Sequence, residues 1–350
     1  MTRVVVLGYY GFGNFGDELI LRAMQDELQA LDCQAAFVVN NPDQYKDHQT
    51  PRFSFVDRHN VAAVMRAVRG CDVVVLGGGG LVQDVTSVRS NVYYLGIPLL
   101  ALALGKRVAA YALGVGPLTR ASSRHLVRMV FGHMTLIDVR DQASADLLYS
   151  CGVDRAKIAV SSDAGLSLLL SENVVAHAAT AQGPFILAAI HPHFGWTAEE
   201  TASFLDCLAS QYGAQVRLVV LFPASDAGYT GDVHDRLLTP STIVTLSTTQ
   251  ELIGLCASAI FTIAGRYHMV AAGVAAESPV VALAYDAKVS QLAAFCGLEC
   301  ILRGTSPQEA ASTILGKPLR RARPGVAQEA LAMRADRIAR LKSALELHRR

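Results

Sequence analysis

A chain of 350 residues, 51% of them hydrophobic and 17% charged, has the material for two full cores and too little polar bias for disorder. Its 31 basic and 30 acidic residues leave a formal net charge of +1, so no global field draws it to nucleic acid. Seven cysteines without a Cys-x-x-Cys pair point to a reduced, cytoplasmic interior and to no zinc site.

The first apolar run, Val4–Leu7, reads as a buried strand rather than part of a signal peptide. It leads into Gly8-Tyr9-Tyr10-Gly11-Phe12-Gly13-Asn14-Phe15-Gly16-Asp17-Glu18, and the spacing predicts a helix over Leu19–Leu31. Glycines at such a turn let a ligand approach backbone amides at a helix start, which marks Gly11 and Gly16. The dinucleotide fingerprint is not met and no Lys-Ser/Thr follows, which argues against NAD and ATP. Asn14 and Asp17 suit the hydroxyls of a sugar, with capping of the helix as the plainer alternative.

Further runs at Ala36–Val39, Val73–Leu76, Val108–Ala112 and Thr135–Val139 alternate with helix-period stretches, the pattern of a parallel sheet covered on both faces. After Leu76 comes a glycine run followed by polar groups: Gly78 and Gly79 open amides to a ligand, and Gln83, Asp84, Thr86, Ser87 and Tyr94 supply directional contacts. Leu95–Leu104 is apolar but shorter than the ~20 residues that span a bilayer, so it reads as a buried helix. Gly114-Val115-Gly116-Pro117 is another strand-end turn. Arg140, ending the fifth strand, suits an anion clamp or a pairing with Asp141 or Asp163.

A second series, Phe185–Ile190, Val216–Phe222, Ile243–Leu246, Ala259–Ile263 and Val280–Ala284, repeats the alternation after a hinge near Ser171–Pro184. The expected organisation is residues 1–172 as a first domain, 183–322 as a second, and 323–350 as a helix packing back on the first. Two such α/β, Rossmann-like domains face a cleft lined by strand ends. His191-Pro192-His193 is a poor metal site without a third ligand. Arg266-Tyr267-His268 and Lys288 fall in one strand-helix-strand unit, where they suit an anion: arginine as a fork, lysine as a mobile charge, histidine as a proton carrier. The basic carboxyl end, Arg320, Arg321, Arg323 and His348-Arg349-Arg350, suits an anionic surface or a solvated helix face.

Taken in order, Gly8–Glu18, Gly77–Ser87 with Tyr93-Tyr94, Gly114–Pro117, Val139–Asp141, Arg266–His268 and Tyr285–Lys288 resemble the polysaccharide pyruvyl transferase family, within it the bacterial cell-wall polymer branch that prepares glycans for anchoring surface-layer proteins. The resemblance implies a glycosyltransferase-B-like pair of domains. It also implies transfer of pyruvate from phosphoenolpyruvate onto two hydroxyls of a sugar in a lipid-linked precursor, giving a cyclic ketal, with no metal or organic cofactor. It assigns catalysis to Arg266, His268 and Lys288, and donor binding to Arg266, Lys288 and Arg140. The sequence departs from the family at His191-Pro192-His193, where an arginine is expected. A lipid-linked acceptor places the work at the cytoplasmic membrane face. A nucleotide-sugar glycosyltransferase and a non-catalytic glycan-binding protein are the alternatives on the same architecture.

Overall fold

The computed structural model describes residues 1–85, 88–172, 183–246 and 248–346, which fold as two α/β units, Met1–Ser167 with Ala330–Arg350 and Leu168–Glu329. The division falls within helices, and the segment expected to act as a hinge lies, over 173–182, outside the described residues. Unit 1 carries seven parallel strands: β1 (Arg3–Leu7), β2 (Gln34–Val39), β3 (Phe53–Asp57), β4 (Val73–Val82), β5 (Arg107–Val115), β6 (Leu136–Val139) and β7 (Ile158–Val160). Between them run α1 (Phe15–Ala30), α2 (Val61–Gly70), α3 (Val88–Ala103), α4 (Ala121–Gly132) and α5 (Gln142–Ser150), and α6 (Ala164–Ser171) follows β7. Unit 2 alternates β8 (Phe185–Ala189), α7 (Ala198–Tyr212), β9 (Gln215–Val220), α8 (Pro223–His234), β10 (Ser241–Thr245), α9 (Thr249–Ser258), β11 (Thr262–Ala264), α10 (Tyr267–Ala275), β12 (Val280–Ala284), α11 (Ala287–Cys296), β13 (Glu299–Leu302) and α12 (Pro307–Leu315), before α13 (Val326–Glu346).

The sheet orders are β3-β2-β1-β4-β5-β6-β7 and β10-β9-β8-β11-β12-β13. In both, the chain builds outward from the first strand and then crosses to its other side, so the switch points lie between β1 and β4 and between β8 and β11. Loops at the carboxyl ends of such strand pairs are where doubly wound sheets hold ligands. The central strands read as valine and alanine runs because helices cover both faces: every residue of β8 and β12 is buried. Helix starts are fixed locally, by capping boxes at Thr197/Glu200 and Ser306/Glu309 and by Asp286 accepting the Val289 amide at 3.2 Å, each worth about 1 kcal/mol.

The structure departs from the sequence expectations at the sheet margins. β4 continues six residues past Leu76, because Gly77, Gly79 and Val82 keep pairing with β5, with a register shift between Gly79 and Val82. β3, β7 and β13 are additional strands, each at a sheet edge, where less burial leaves a weaker apolar signal.

α13 returns the chain to unit 1. Arg337, fully buried, donates to Glu27 of α1 at 2.9 Å and to the Ser162 carbonyl. Arg334 reaches the same Glu27 oxygen at 2.9 Å, and Arg340 grips Asp138 of β6. Tyr111 of β5 donates to Glu27 from beneath the Arg337 guanidinium. Among the described residues no helix is long and apolar enough to cross a membrane, and no group of His, Cys, Asp and Glu is set to hold a metal ion.

Candidate active site

In unit 2 the loops after β8, β11 and β12 converge because β11 pairs with both neighbours. Their closeness depends on Gly265: a Cβ there would lie 2.8 Å from the His191 nitrogen and 2.9 Å from the Ala189 oxygen, backbone that cannot yield. From β8, His191 starts a 3₁₀ turn by accepting the His193 amide on Nδ1 at 3.0 Å. The ring is buried and stacks on Tyr285 at 4.2 Å. Burial first, then the charges of Arg266, His193 and Lys288, push its pKa down to about 3, so His191 is neutral at neutral pH. The residue standing where an arginine was expected is therefore no cation.

From β11, Arg266 sits at the start of α10, and its Nε and Nη2 edge is taken by both carboxylate oxygens of Asp226 on α8, with Nε at 3.1 Å. The two side chains are only 15% and 5% exposed. A fork held along one edge keeps its Nη1 donors aimed by the pair. Two residues on, His268 lies in the first turn of α10, half-buried, its ring edge-on to Tyr267 at 5.2 Å. From β12, Lys288 lies 3.2 Å from Asp286 and 5.8 Å from the Tyr285 ring centre. Its side chain is 38% exposed, so that pair is weakly held and the ammonium is easily redirected to a ligand. Burial raises the Tyr285 phenol, opposed by Lys288 and then, after Asp286 adds to the rise, by Arg266. Arg266, Lys288, His191, His193 and Tyr285 thus share one electrostatic neighbourhood, with His268 on the adjoining helical turn.

In unit 1 the glycine-rich loop is closed on itself. The Gly11 amide donates to Glu18 Oε1 at 2.8 Å, and Tyr45 donates to the other oxygen. Burial raises the Glu18 carboxyl, and the Tyr45 and Gly11 hydrogen bonds oppose that rise. Asn14 caps α1, accepting the Gly16 amide at 3.2 Å while donating to Asp17 at 2.6 Å. Gly78 and Gly79 have φ of +68° and +73°, and a Cβ on them would meet Ile20 Cγ2 at 2.5 Å and Asp17 Oδ1 at 3.1 Å. Those glycines let β4 pass beneath α1 and bring Asp17 to the switch point. Tyr94 donates to the Gly8 carbonyl at 3.1 Å.

Three expected contacts have other employment. Arg140 is buried, 8% exposed, and ion-paired at 3.3 Å with both Asp141 and Asp163, which corrects its reading as an anion clamp: its charge is already matched by two acids. Asp84 accepts from the Thr119 amide and hydroxyl and from the Arg120 amide at 2.8–2.9 Å. Burial alone would raise that carboxyl, but these hydrogen bonds outweigh it and hold it at about 2, fixing the loop after β5 instead of a ligand. Gln83 accepts the Val85 amide at 2.9 Å. Ser87 and Thr86 lie outside the described residues.

The sequence profile of the polysaccharide pyruvyl transferases matches residues 14–287, well over half of the chain. The chain belongs to that family. The match takes in Arg266, His268 and Tyr285 and stops one residue short of Lys288. No curated protein matches the chain significantly. Among solved structures it is similar to UDP-GlcNAc 2-epimerase of Methanocaldococcus jannaschii, with 14% identity over 97% of this chain and 99% of that one and a TM-score of 0.63. It is also similar to Anabaena HepE in complex with UDP-glucose, at 12% identity, 99% and 98% coverage and a TM-score of 0.60. The UDP-N-acetylglucosamine 2-epimerase of Rickettsia bellii gives 10%, 99%, 97% and 0.66. At these identities the likeness establishes the glycosyltransferase-B-like fold alone, in a family member whose sequence sets its own site.

Proposed function

We propose that the protein transfers pyruvate from phosphoenolpyruvate to two hydroxyls of one sugar in a cell-wall polysaccharide precursor, releasing phosphate and closing a cyclic ketal. The observation that supports this most is the gathering of Arg266, Lys288 and His268 at the switch point of unit 2 in a member of this family. Phosphoenolpyruvate presents a phosphate and a carboxylate, which suit a guanidinium fork held along one edge and a mobile ammonium. His268 acts as general acid toward the methylene carbon, which becomes a methyl group as the neighbouring carbon turns electrophilic. The first hydroxyl oxygen bonds to that carbon and returns a proton to the imidazole. The carbon–oxygen bond to phosphate then breaks, with Arg266 and Lys288 stabilising the departing charge. The second hydroxyl adds, and its proton leaves with inorganic phosphate. The scheme calls for no metal or organic cofactor.

Asn14 and Asp17 are the residues proposed for the sugar hydroxyls. A lipid-linked acceptor would put the enzyme at the cytoplasmic membrane face. A nucleotide-sugar glycosyltransferase is the competing reading, since HepE of the same fold is solved with UDP-glucose. The deciding experiment is phosphate release from phosphoenolpyruvate with and without N-acetylhexosamine acceptors, free and lipid-linked. Acceptor-dependent release that vanishes in His268→Ala is expected. No release, with a thermal shift by UDP-glucose and none by phosphoenolpyruvate, would favour the glycosyltransferase, and sugar binding without any turnover a non-catalytic glycan-binding protein.

A further inference from the structure

Arg58, just beyond β3, lies among aromatic rings drawn from two other stretches of unit 1, the loop before α1 and helix α3. Its guanidinium carbon is 4.4 Å from the Tyr93 ring centre, 5.1 Å from Phe12 and 5.8 Å from Tyr94. Phe12 in turn stacks on Tyr9 at 4.0 Å and 5°. Among the described residues, one of the five guanidinium N–H groups donates to a protein oxygen, Tyr94 Oη, at 3.4 Å, and no carboxylate pairs with Arg58. The Tyr93 hydroxyl beside it is buried without a hydrogen-bond partner among the described residues. A half-buried cation with open donors, walled by rings, is arranged for an anion that arrives from outside. The alternative anion site close by, the start of α1, is closed: Asp17 and Glu18 occupy its first turn and Glu18 holds the Gly11 amide.

The same cluster offers what a sugar needs. The Tyr9 and Phe12 rings stack as an aromatic plate, and the Tyr9 phenol lies within electrostatic reach of both Asp17 and Arg58, so a hydroxyl acceptor and an anion receptor stand near one ring. We propose that the acceptor sugar carries an anionic substituent, a phosphate ester or a ring carboxylate, which Arg58 takes while the sugar ring lies on the Tyr9–Phe12 plate and its hydroxyls meet Asp17.

The inference rests on the pyruvyl-transfer reading only for its description as an acceptor site, and its test omits phosphoenolpyruvate. The full chain is titrated calorimetrically with N-acetylglucosamine 1-phosphate, glucuronic acid and uncharged N-acetylglucosamine. One anionic sugar binds at least about tenfold more tightly than the neutral one, the scale of charge-assisted hydrogen bonds, and which one it is separates phosphate from carboxylate. In Arg58→Gln the preference falls to within about twofold, the expected residue of losing those bonds. Arg58→Lys keeps the charge without the fork and lies between, and it carries the comparison if Arg58→Gln does not fold. Equal binding of the three sugars, no binding, or a preference undiminished in the variants would overturn the assignment. A preference present in the parent and lost in Arg58→Gln, with no phosphate release in the assay above, would count against pyruvyl transfer and leave Arg58 in place.

Discussion

Asp226 has no evident role in the sequence, yet it holds the arginine on which the proposed donor site turns. Its carboxylate accepts Nε and Nη2 of Arg266 and, at 3.2 Å, the Phe222 amide that opens α8. Removing one partner of a buried ion pair costs about 3–5 kcal/mol, because the other charge is stranded. The 15% exposure of Arg266 lets some water reach it, so Asp226→Ala belongs at the lower end, about 3 kcal/mol. Asp226→Asn keeps one acceptor for Phe222 or for Arg266 and loses the charge, for a cost of about 1.5 kcal/mol. The chain's one tryptophan, Trp196, is buried in the core of unit 2, so its fluorescence during urea unfolding reports on this unit. Adding Arg266→Ala to Asp226→Ala should restore part of the loss, since no unpaired guanidinium remains. An Asp226→Ala variant within ~0.5 kcal/mol of the parent, the range of an ordinary surface change, would refute the view that this pair is buried and mutually dependent.

Three further outcomes follow from the geometry. His191 has its ordinary value of 6.5 when unfolded and about 3 when folded, so the unfolded chain binds the extra proton and stability falls as pH drops from 6.5 toward 3. In His191→Gln the Trp196-detected urea midpoint should lose that dependence, and parallel pH curves for parent and variant would contradict it. Gly265→Ala forces a methyl group into the β8 backbone and should cost about 2 kcal/mol in the same assay, with phosphate release lost as the His191 and Arg266 loops are pushed apart. Arg337→Ala strands a fully buried Glu27 with Arg334 as its remaining cation. Hydrogen exchange of α1 amides should quicken by about a hundredfold, the equivalent of the ~3 kcal/mol lost from such a pair.

The interior strands were legible because a sheet covered on both faces demands unbroken apolar runs, and β1, β5, β8 and β12 supply them. β7 was not, being three residues long and half exposed at an edge. Arg266, His268 and Lys288 stood out because strand-end loops carry local motifs. Asp226 did not, since its meeting with Arg266 spans 40 residues and depends on how α8 lies against β9. Arg58, Phe12 and Tyr93 form no motif at all: two loops and helix α3 deliver them one by one, and a chain pattern holds no record of such a meeting. Arg140 shows the converse, a residue whose neighbours in sequence and space are both acids, so that its charge was claimed by the fold.

The return of α13 to unit 1 has a consequence for the order in which the molecule can be made. Glu27 is read early in synthesis, but the Arg337 that neutralises it emerges 310 residues later, after all of unit 2. Until then the nascent first unit holds an acid in a space that water should leave, and its sheet cannot close over α1 at full stability. Unit 2, whose strands and helices are contiguous in the chain, has no such wait. The part synthesised first is therefore the part completed last, and a chain stopped short of Ala330 leaves the ribosome with a finished second unit and an unfinished first.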